Sequence, residues 1–411
     1  METTYFRKGF GLKTAIEGQL ASDYHSAVVD AVRRHGYELA AGPIVFRLAR
    51  EFGFCYGVDR AVEYAYEART KFPDRRLFLA GEIIHNPHVN RKLEQMGIAF
   101  LGKGADGGFD FSGITPSDVV IMPAFGVTID DFERLKHLGC VLVDTTCGSV
   151  LNVWKRVDSY AREGFTAIIH GKHYHEETKA TASQVMRYPG GRYIVVLNMA
   201  EARMLCDFIE RGGDTSALRE RFKDAVSPGF AFESDLVRVG LANQTTMLSG
   251  ESLAIAEEFR QSMILRYGVE AIAHHFRTFD TICSATQDRQ DAIQKLLESG
   301  VDLMIIVGGY NSSNTCHLAA LAVSKGVRTF HIEDSHGIDL ETGFIHHQPV
   351  RTRDERAEAG WLDGVRTIGI TAGASTPNNK IGETIARICS VARVDLEELI
   401  RTQDSGLRTQ E

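Results

Sequence analysis

Short runs of Val, Ile and Leu recur along the chain, each followed by a polar or glycine-rich stretch and then by apolar positions at helical spacing. Val119–Met122 leads into Pro-Ala-Phe-Gly-Val-Thr, and residues 141–143 lead into Asp-Thr-Thr-Cys-Gly-Ser. Residues 166–169 lead into His-Gly-Lys-His-Tyr-His-Glu-Glu, and residues 237–241 into Ala-Asn-Gln-Thr-Thr. Leu303–Val307 leads into Gly-Gly-Tyr-Asn-Ser-Ser-Asn, and residues 367–370 into Thr-Ala-Gly-Ala-Ser-Thr-Pro. Nearly continuous apolar strands alternating with helices predict an α/β fold of parallel sheets covered on both faces. In such folds ligands bind beyond the carboxyl ends of the strands. Every polar stretch named above falls there.

Two stretches break the pattern. Residues 211–235 and 334–363 are polar and glycine-rich and predict surface loops or insertions. Residues 1–44 form an N-terminal extension with a helix expected around 26–35, and the tail after Arg401 reads as disordered.

At 411 residues, two or three lobes are expected. The longest apolar runs are strand-sized, far short of a membrane span. A net charge of −8, from 46 basic and 54 acidic residues, disfavours nonspecific nucleic-acid binding. The N-terminus has no apolar signal core, and the seven scattered cysteines do not form a secreted disulfide pattern. A reducing cytoplasm is the expected setting.

The cysteines carry the first chemical signal. Cys206, Cys316 and Cys389 fall within helical patterns and Cys140 begins a strand, all positions suited to a buried thiol acting as a small hydrophobe. Cys55, Cys147 and Cys283 each end an extended segment, before small or polar residues that open a helix. They belong to three different strand–loop–helix units. Three converging thiolates suit a [4Fe–4S] cube with one iron open to substrate. Unrelated structural thiols fit the positions at least as well, and a zinc site is a third option.

The second signal is the loop from His170 to Glu177, with three histidines and two glutamates in eight residues. It could bind metal, hold an anion or move protons, although the HExxH spacing of a metalloprotease is absent. His85, at the end of another apolar run, reads on its own as a structural histidine. Two hydroxyl-rich loops, Gly308 to Asn314 and Ala372 to Pro377, precede helices, where backbone amides and short side chains form phosphate sites or ordinary caps. Neither GxxxxGK[ST] nor GxGxxG occurs in the required context, so a nucleotide is not the obvious ligand.

Together these segments resemble the 4-hydroxy-3-methylbut-2-enyl diphosphate reductases, the last enzymes of the non-mevalonate isoprenoid pathway. GFCYGVDRA, GEIIHNPHV, DTTCGSV, HYHEET, NQTT, DTICSATQDRQ, NSSN and TAGAST occur in the family's order, from about Val45 to Val394. The extension and insertions are similar to the cyanobacterial and plastid branch.

The resemblance implies three lobes of mostly parallel sheet with flanking helices, in a pseudo-threefold arrangement around one [4Fe–4S] cluster. The expected lobes are 58–146, 147–279, and 280–400 together with 45–57. The cluster ligands would be Cys55, Cys147 and Cys283. His85, His175, Ser312, Ser313, Asn314 and Ser375 would bind the diphosphate of (E)-4-hydroxy-3-methylbut-2-enyl diphosphate. Glu177, with Thr245, would supply the proton that lets water leave, and the products would be isopentenyl and dimethylallyl diphosphate. Electrons would come from reduced ferredoxin or flavodoxin. Where many bacterial members have Ala-His-Gly, this chain has Ala124-Phe125-Gly126, so no diphosphate role passes to Phe125.

Two alternatives remain at this level. A quinolinate synthase-like lyase would also use three cysteines and three related lobes, but would handle dicarboxylates and favour arginines in its site. A non-enzymatic metal-binding protein would need no open iron.

Overall fold

The computed structural model describes residues 4–104, 108–279, 281–396 and 400–401. The expected disordered tail after Arg401 lies outside them. The chain forms two compact units. The first comprises Met1–Phe10, Arg60–Ile83 and Leu93–Cys283; the second comprises Gly11–Asp59, Ile84–Lys92 and Ser284–Glu411.

The first unit holds two sheets. One contains β1 (Tyr5–Phe6), β4 (Leu77–Leu79), β5 (Ile98–Phe100), β6 (Val119–Met122) and β7 (Val141–Asp144), ordered β1-β7-β6-β4-β5. The other contains β8 (Thr166–His170), β9 (Tyr193–Val196), β10 (Val239–Asn243) and β11 (Phe276–Thr278), ordered β11-β10-β8-β9. The second unit's main sheet contains β2 (Glu38–Ala41), β3 (Ile44–Leu48), β12 (Leu303–Val307), β13 (Arg328–Ile332) and β16 (Thr367–Ala372), ordered β13-β12-β16-β3-β2. The same unit has a small antiparallel ribbon of β14 (Ile345–His347) and β15 (Arg356–Glu358).

These orders contain one four-strand pattern three times: β7-β6-β4-β5, β11-β10-β8-β9 and β3-β16-β12-β13. All pairings within the pattern are parallel. In the third copy the last strand is β3, from near the start of the chain. The N-terminal extension adds a strand to two of the patterns: β1 pairs parallel with β7, and β2 pairs antiparallel with β3. Both additions cover the edge strand that leads to a cysteine, an edge otherwise open to pairing with another chain. The expected extension helix is Ala27–Arg34, capped by Ser26, whose Oγ accepts the Val29 amide.

Strands β6, β7, β8, β10 and β12 are buried at every residue, which explains their unbroken apolar runs. The ladder extends further into the polar loops than the apolar runs suggest. β7 ends at Asp144, and β10 is displaced from the expected 237–241 to finish at Asn243, paired with His170. These polar residues stay in the sheet because they find partners: Asp144 accepts from the Tyr5 hydroxyl, and His170 Nδ1 meets Ser252 Oγ at 2.8 Å.

The two insertions are not merely surface loops. Residues 211–235 contain the helices Ser216–Phe222 and Phe232–Asp235, and Phe222, Phe230 and Phe232 are buried in the core of the second sheet. In residues 334–363, Trp361 is 1% exposed, lies edge-on to Phe330 and donates through Nε1 to the Gly343 carbonyl. Isolated aromatics give no periodic signal, yet each buries a large apolar area. No helix among the described residues is long and apolar enough to cross a membrane.

Candidate functional site

The threefold pattern assigns each motif an equivalent place. The loops after the first strands (β4, β8 and β12) carry His85, then His175 with Glu177, then Ser312, Ser313 and Asn314. The loops after the third strands (β6, β10 and β16) carry Phe125, Thr245 and Ser375. The last strands (β7, β11 and β3) lead to Cys147, Cys283 and Cys55.

Each of these cysteines stands at a helix start. Cys147 caps Gly148–Arg162, while Cys55 and Cys283 directly precede Tyr56–Lys71 and Ser284–Glu298. The backbone around them is built alike. The amide of Cys147 donates to the Ala124 carbonyl at 2.7 Å, that of Cys55 to Ala374 at 3.1 Å, and that of Cys283 to Thr245 at 3.4 Å. In each copy the acceptor lies in the loop after the third strand.

None of the seven cysteines is in a disulfide. Burial pushes Cys140 and Cys389 up to about 11 and Cys206 up to about 12, so these three stay protonated and inert. Cys316 is half-buried, with Sγ 3.2 Å from the Tyr310 carbonyl oxygen.

In the first unit, His175 caps the helix Glu176–Val185, and its Nδ1 accepts the Glu177 amide at 3.1 Å. With Nδ1 accepting, the neutral ring carries its proton on Nε2, an N–H suited to an anionic ligand. Glu177 is buried at 3% exposure, and its Oε1 accepts the Thr245 amide at 2.6 Å. That bond connects the loops after β8 and β10, so the acid and its expected companion do come together. Phe125 packs edge-on against His175, ring centres 6.1 Å apart.

In the second unit, Ser312 caps the helix Ser313–Ser324, with Oγ accepting the Thr315 amide at 3.4 Å and the Thr315 hydroxyl at 2.9 Å. Ser375 Oγ donates to the His85 carbonyl at 3.2 Å and lies 3.4 Å from Ser312 Oγ. Asn314 Oδ1 accepts the Ala374 amide at 3.0 Å. His85, Ser312, Asn314 and Ser375 thus belong to one bonded set of loops.

Two donors at the start of the helix Ser313–Ser324 have no protein partner among the described residues. Ser313 Oγ and Asn314 Nδ2 are buried, on residues each 2% exposed, with no hydrogen bond among the described residues. Both lie in the first turn of a helix, where the partial positive charge favours an anion.

This loop is fixed at its root by Gly308. Its φ is +146°, and an added Cβ would stand 2.5 Å from Thr376 Oγ1, so only glycine fits. The Gly308 amide donates to the Ile332 carbonyl at 3.0 Å, and His331 Nε2 donates to the Gly308 carbonyl at 2.9 Å. Burial pushes the His331 pKa down to about 4, which keeps the ring neutral.

Arg60 and Arg289 escaped the sequence reasoning. Arg60 Nη2 donates to the Thr146 carbonyl, and Arg289 Nη2 to the Gly53 carbonyl, each at 2.7 Å. Both arginines stand in the quoted motifs, but nothing in those strings shows which distant carbonyl each meets.

The LytB protein family profile matches residues 46–389. The chain belongs to the LytB protein family. A 4-hydroxy-3-methylbut-2-enyl diphosphate reductase of Gloeobacter violaceus is 48% identical over 388 residues, covering 93% of this chain and 92% of its own. One from Thermosynechococcus vestitus is 46% identical over 391 residues, covering 95% of each chain. Among solved structures, the E-1-hydroxy-2-methyl-but-2-enyl-4-diphosphate reductase from Plasmodium falciparum shares the fold, with a TM-score of 0.62 at 22% identity, covering 83% of this chain and 86% of that one. The family membership accords with the order of motifs, and the cyanobacterial relatives with the branch that the extension resembles.

Proposed function

We propose that this chain reduces (E)-4-hydroxy-3-methylbut-2-enyl diphosphate to isopentenyl and dimethylallyl diphosphate, using a [4Fe–4S] cluster held by Cys55, Cys147 and Cys283. The observation that carries this reading is the pair of buried, unpartnered donors Ser313 Oγ and Asn314 Nδ2 at a helix N-terminus. An unpaired buried donor costs roughly 1–3 kcal/mol, and a diphosphate oxygen would satisfy both. The three helix-start thiols fit the cluster, since they provide three anionic ligands and leave one position open.

The reaction breaks one C–O bond and forms one C–H bond, consuming two electrons and two protons and releasing water. The bound cluster would supply the electrons singly and act as Lewis acid towards the departing hydroxyl. An external low-potential carrier, ferredoxin or flavodoxin, would replenish them. Ser312, Ser313, Asn314, Ser375, His85 and His175 would grip the diphosphate and so fix the carbon chain, an orientation effect. Glu177 would deliver the proton to the leaving oxygen as general acid. The Thr245 amide holds one of its carboxyl oxygens in place.

Anaerobic purification with iron and sulfide analysis, and a visible spectrum with and without the allylic diphosphate, tests this reading. About four irons per chain, a spectrum perturbed by the diphosphate, and loss of both on Cys147→Ser are expected. Colourless, zinc-containing protein from a preparation that never met oxygen overturns it.

A further inference from the structure

We infer that Arg60 and Arg289 are positioning residues, each holding the loop of one cysteine from the helix that follows a different cysteine. Arg60 stands in the second turn of the helix that starts after Cys55, and it binds the peptide carbonyl immediately before Cys147. Arg289 stands in the second turn of the helix that starts after Cys283, and it binds the Gly53 carbonyl just before Cys55. Its Nη1 also donates to Ala285 on its own helix at 2.8 Å, which fixes the guanidinium plane.

The third helix makes the corresponding contact by stacking. Arg156, on the helix that starts after Cys147, lies 3.8 Å from the ring centre of Phe279, which leads towards Cys283. The support therefore runs in one direction through the three cysteines. The helix after Cys55 serves the Cys147 loop, the helix after Cys147 serves the Cys283 segment, and the helix after Cys283 serves the Cys55 loop.

Two features separate Arg60 and Arg289 from ordinary structural arginines. A buried arginine normally pairs with a carboxylate. Arg289 is 4% exposed and Arg60 half-buried, yet neither is in an ion pair among the described residues. In both, Nε is buried without a hydrogen-bond partner. Each thus brings an unneutralised positive charge to the backbone of a cysteine loop. The fork of donors fixes the loop on which the cysteine stands.

The importance of these loops rests on the proposed cluster ligation, but the test does not need a cluster. The full-length chain, freed of metal with a chelator, is treated with iodoacetamide, and the rate at each cysteine is read by peptide mass spectrometry. Arg60→Met is expected to raise the rate at Cys147 roughly tenfold, the factor of one hydrogen bond from a charged donor, and to leave Cys55 unchanged. Arg289→Met is expected to do the same at Cys55 and to leave Cys283 unchanged.

Protection of buried Cys206 and Cys389 reports that each unit remains folded. If either becomes reactive, Arg60→Lys and Arg289→Lys decide the matter, with the same crossed pattern expected at smaller size. Acceleration at the cysteine preceding the substituted arginine, equal acceleration at all three, or no change overturns the inference. A crossed pattern in a chain that binds no iron would leave the inference standing and remove the proposed cluster.

Discussion

In the first unit His175, Glu177 and Thr245 bond to one another, whereas in the second unit Ser313 and Asn314 leave donors open. His175 Nδ1 takes the Glu177 amide, and the Glu177 carboxylate takes the Thr245 amide, so the proposed acid is held by protein groups alone. In the second unit Ser312, Ser375 and the Asn314 carbonyl are bound to their neighbours, but Ser313 Oγ and Asn314 Nδ2 are buried and unpaired. Proton delivery needs a carboxyl group held at one place, and internal bonds provide that. An anion grip needs donors whose best partner is the ligand, and internal bonds would weaken it.

The largest expected effect falls on the self-satisfied side. Glu177→Gln keeps the size of the side chain but removes its acid, and kcat should fall about 10²–10⁴-fold while substrate binding persists. Near-normal turnover with the allylic diphosphate sinks the assigned role.

The second region should show two opposite signs in one variant. Ser313→Ala removes an unpaired buried hydroxyl, so the ligand-free chain should gain up to about 1 kcal/mol in a thermal melt. Affinity for the diphosphate should fall roughly tenfold in calorimetric titration. A loss of stability together with unchanged affinity would break the contrast between the two regions.

A third effect is a pH slope in the second unit. His331 is held neutral, with its pKa pushed down to about 4, whereas an unfolded histidine takes its proton near 6.5. Between those values the unfolded chain binds more protons. The stability of the neutral ring is therefore fully present above about pH 6.5 and falls as pH drops towards 4, by at most about 1.4 kcal/mol per pH unit. Urea unfolding across this range should show a shallower slope in His331→Gln, which retains a donor for Gly308 but does not titrate. An unchanged slope assigns it to other groups.

The strands with unbroken Val, Ile and Leu runs were legible because both faces are buried, and the three helix-start cysteines stood out because small or polar residues follow them. The three-residue strands β4 and β5 were not legible, since so short a run does not distinguish a strand from a loop. The insertions misled because Phe222, Phe230, Phe232 and Trp361 are single buried aromatics within polar sequence. The threefold pattern was hidden for a different reason. Equivalent loops read Ala-Phe-Gly, Asn-Gln-Thr and Gly-Ala-Ser, and what they share is a backbone carbonyl offered to a cysteine amide, which no side chain records.

By itself the sequence determined the alternation of strand and helix, the placing of polar loops at the strand ends, and which thiols stand where a helix begins. These follow from local periodicity and from the chemistry of single residues. Only the tertiary structure decided that β1 and β2 of the N-terminal extension join two of the sheets, and that Arg289 reaches Gly53. It alone showed that Ser313 Oγ and Asn314 Nδ2 are left open among the described residues. Those outcomes depend on pairing segments distant in sequence, and the free energy of such pairing lies in shared burial rather than in any one residue.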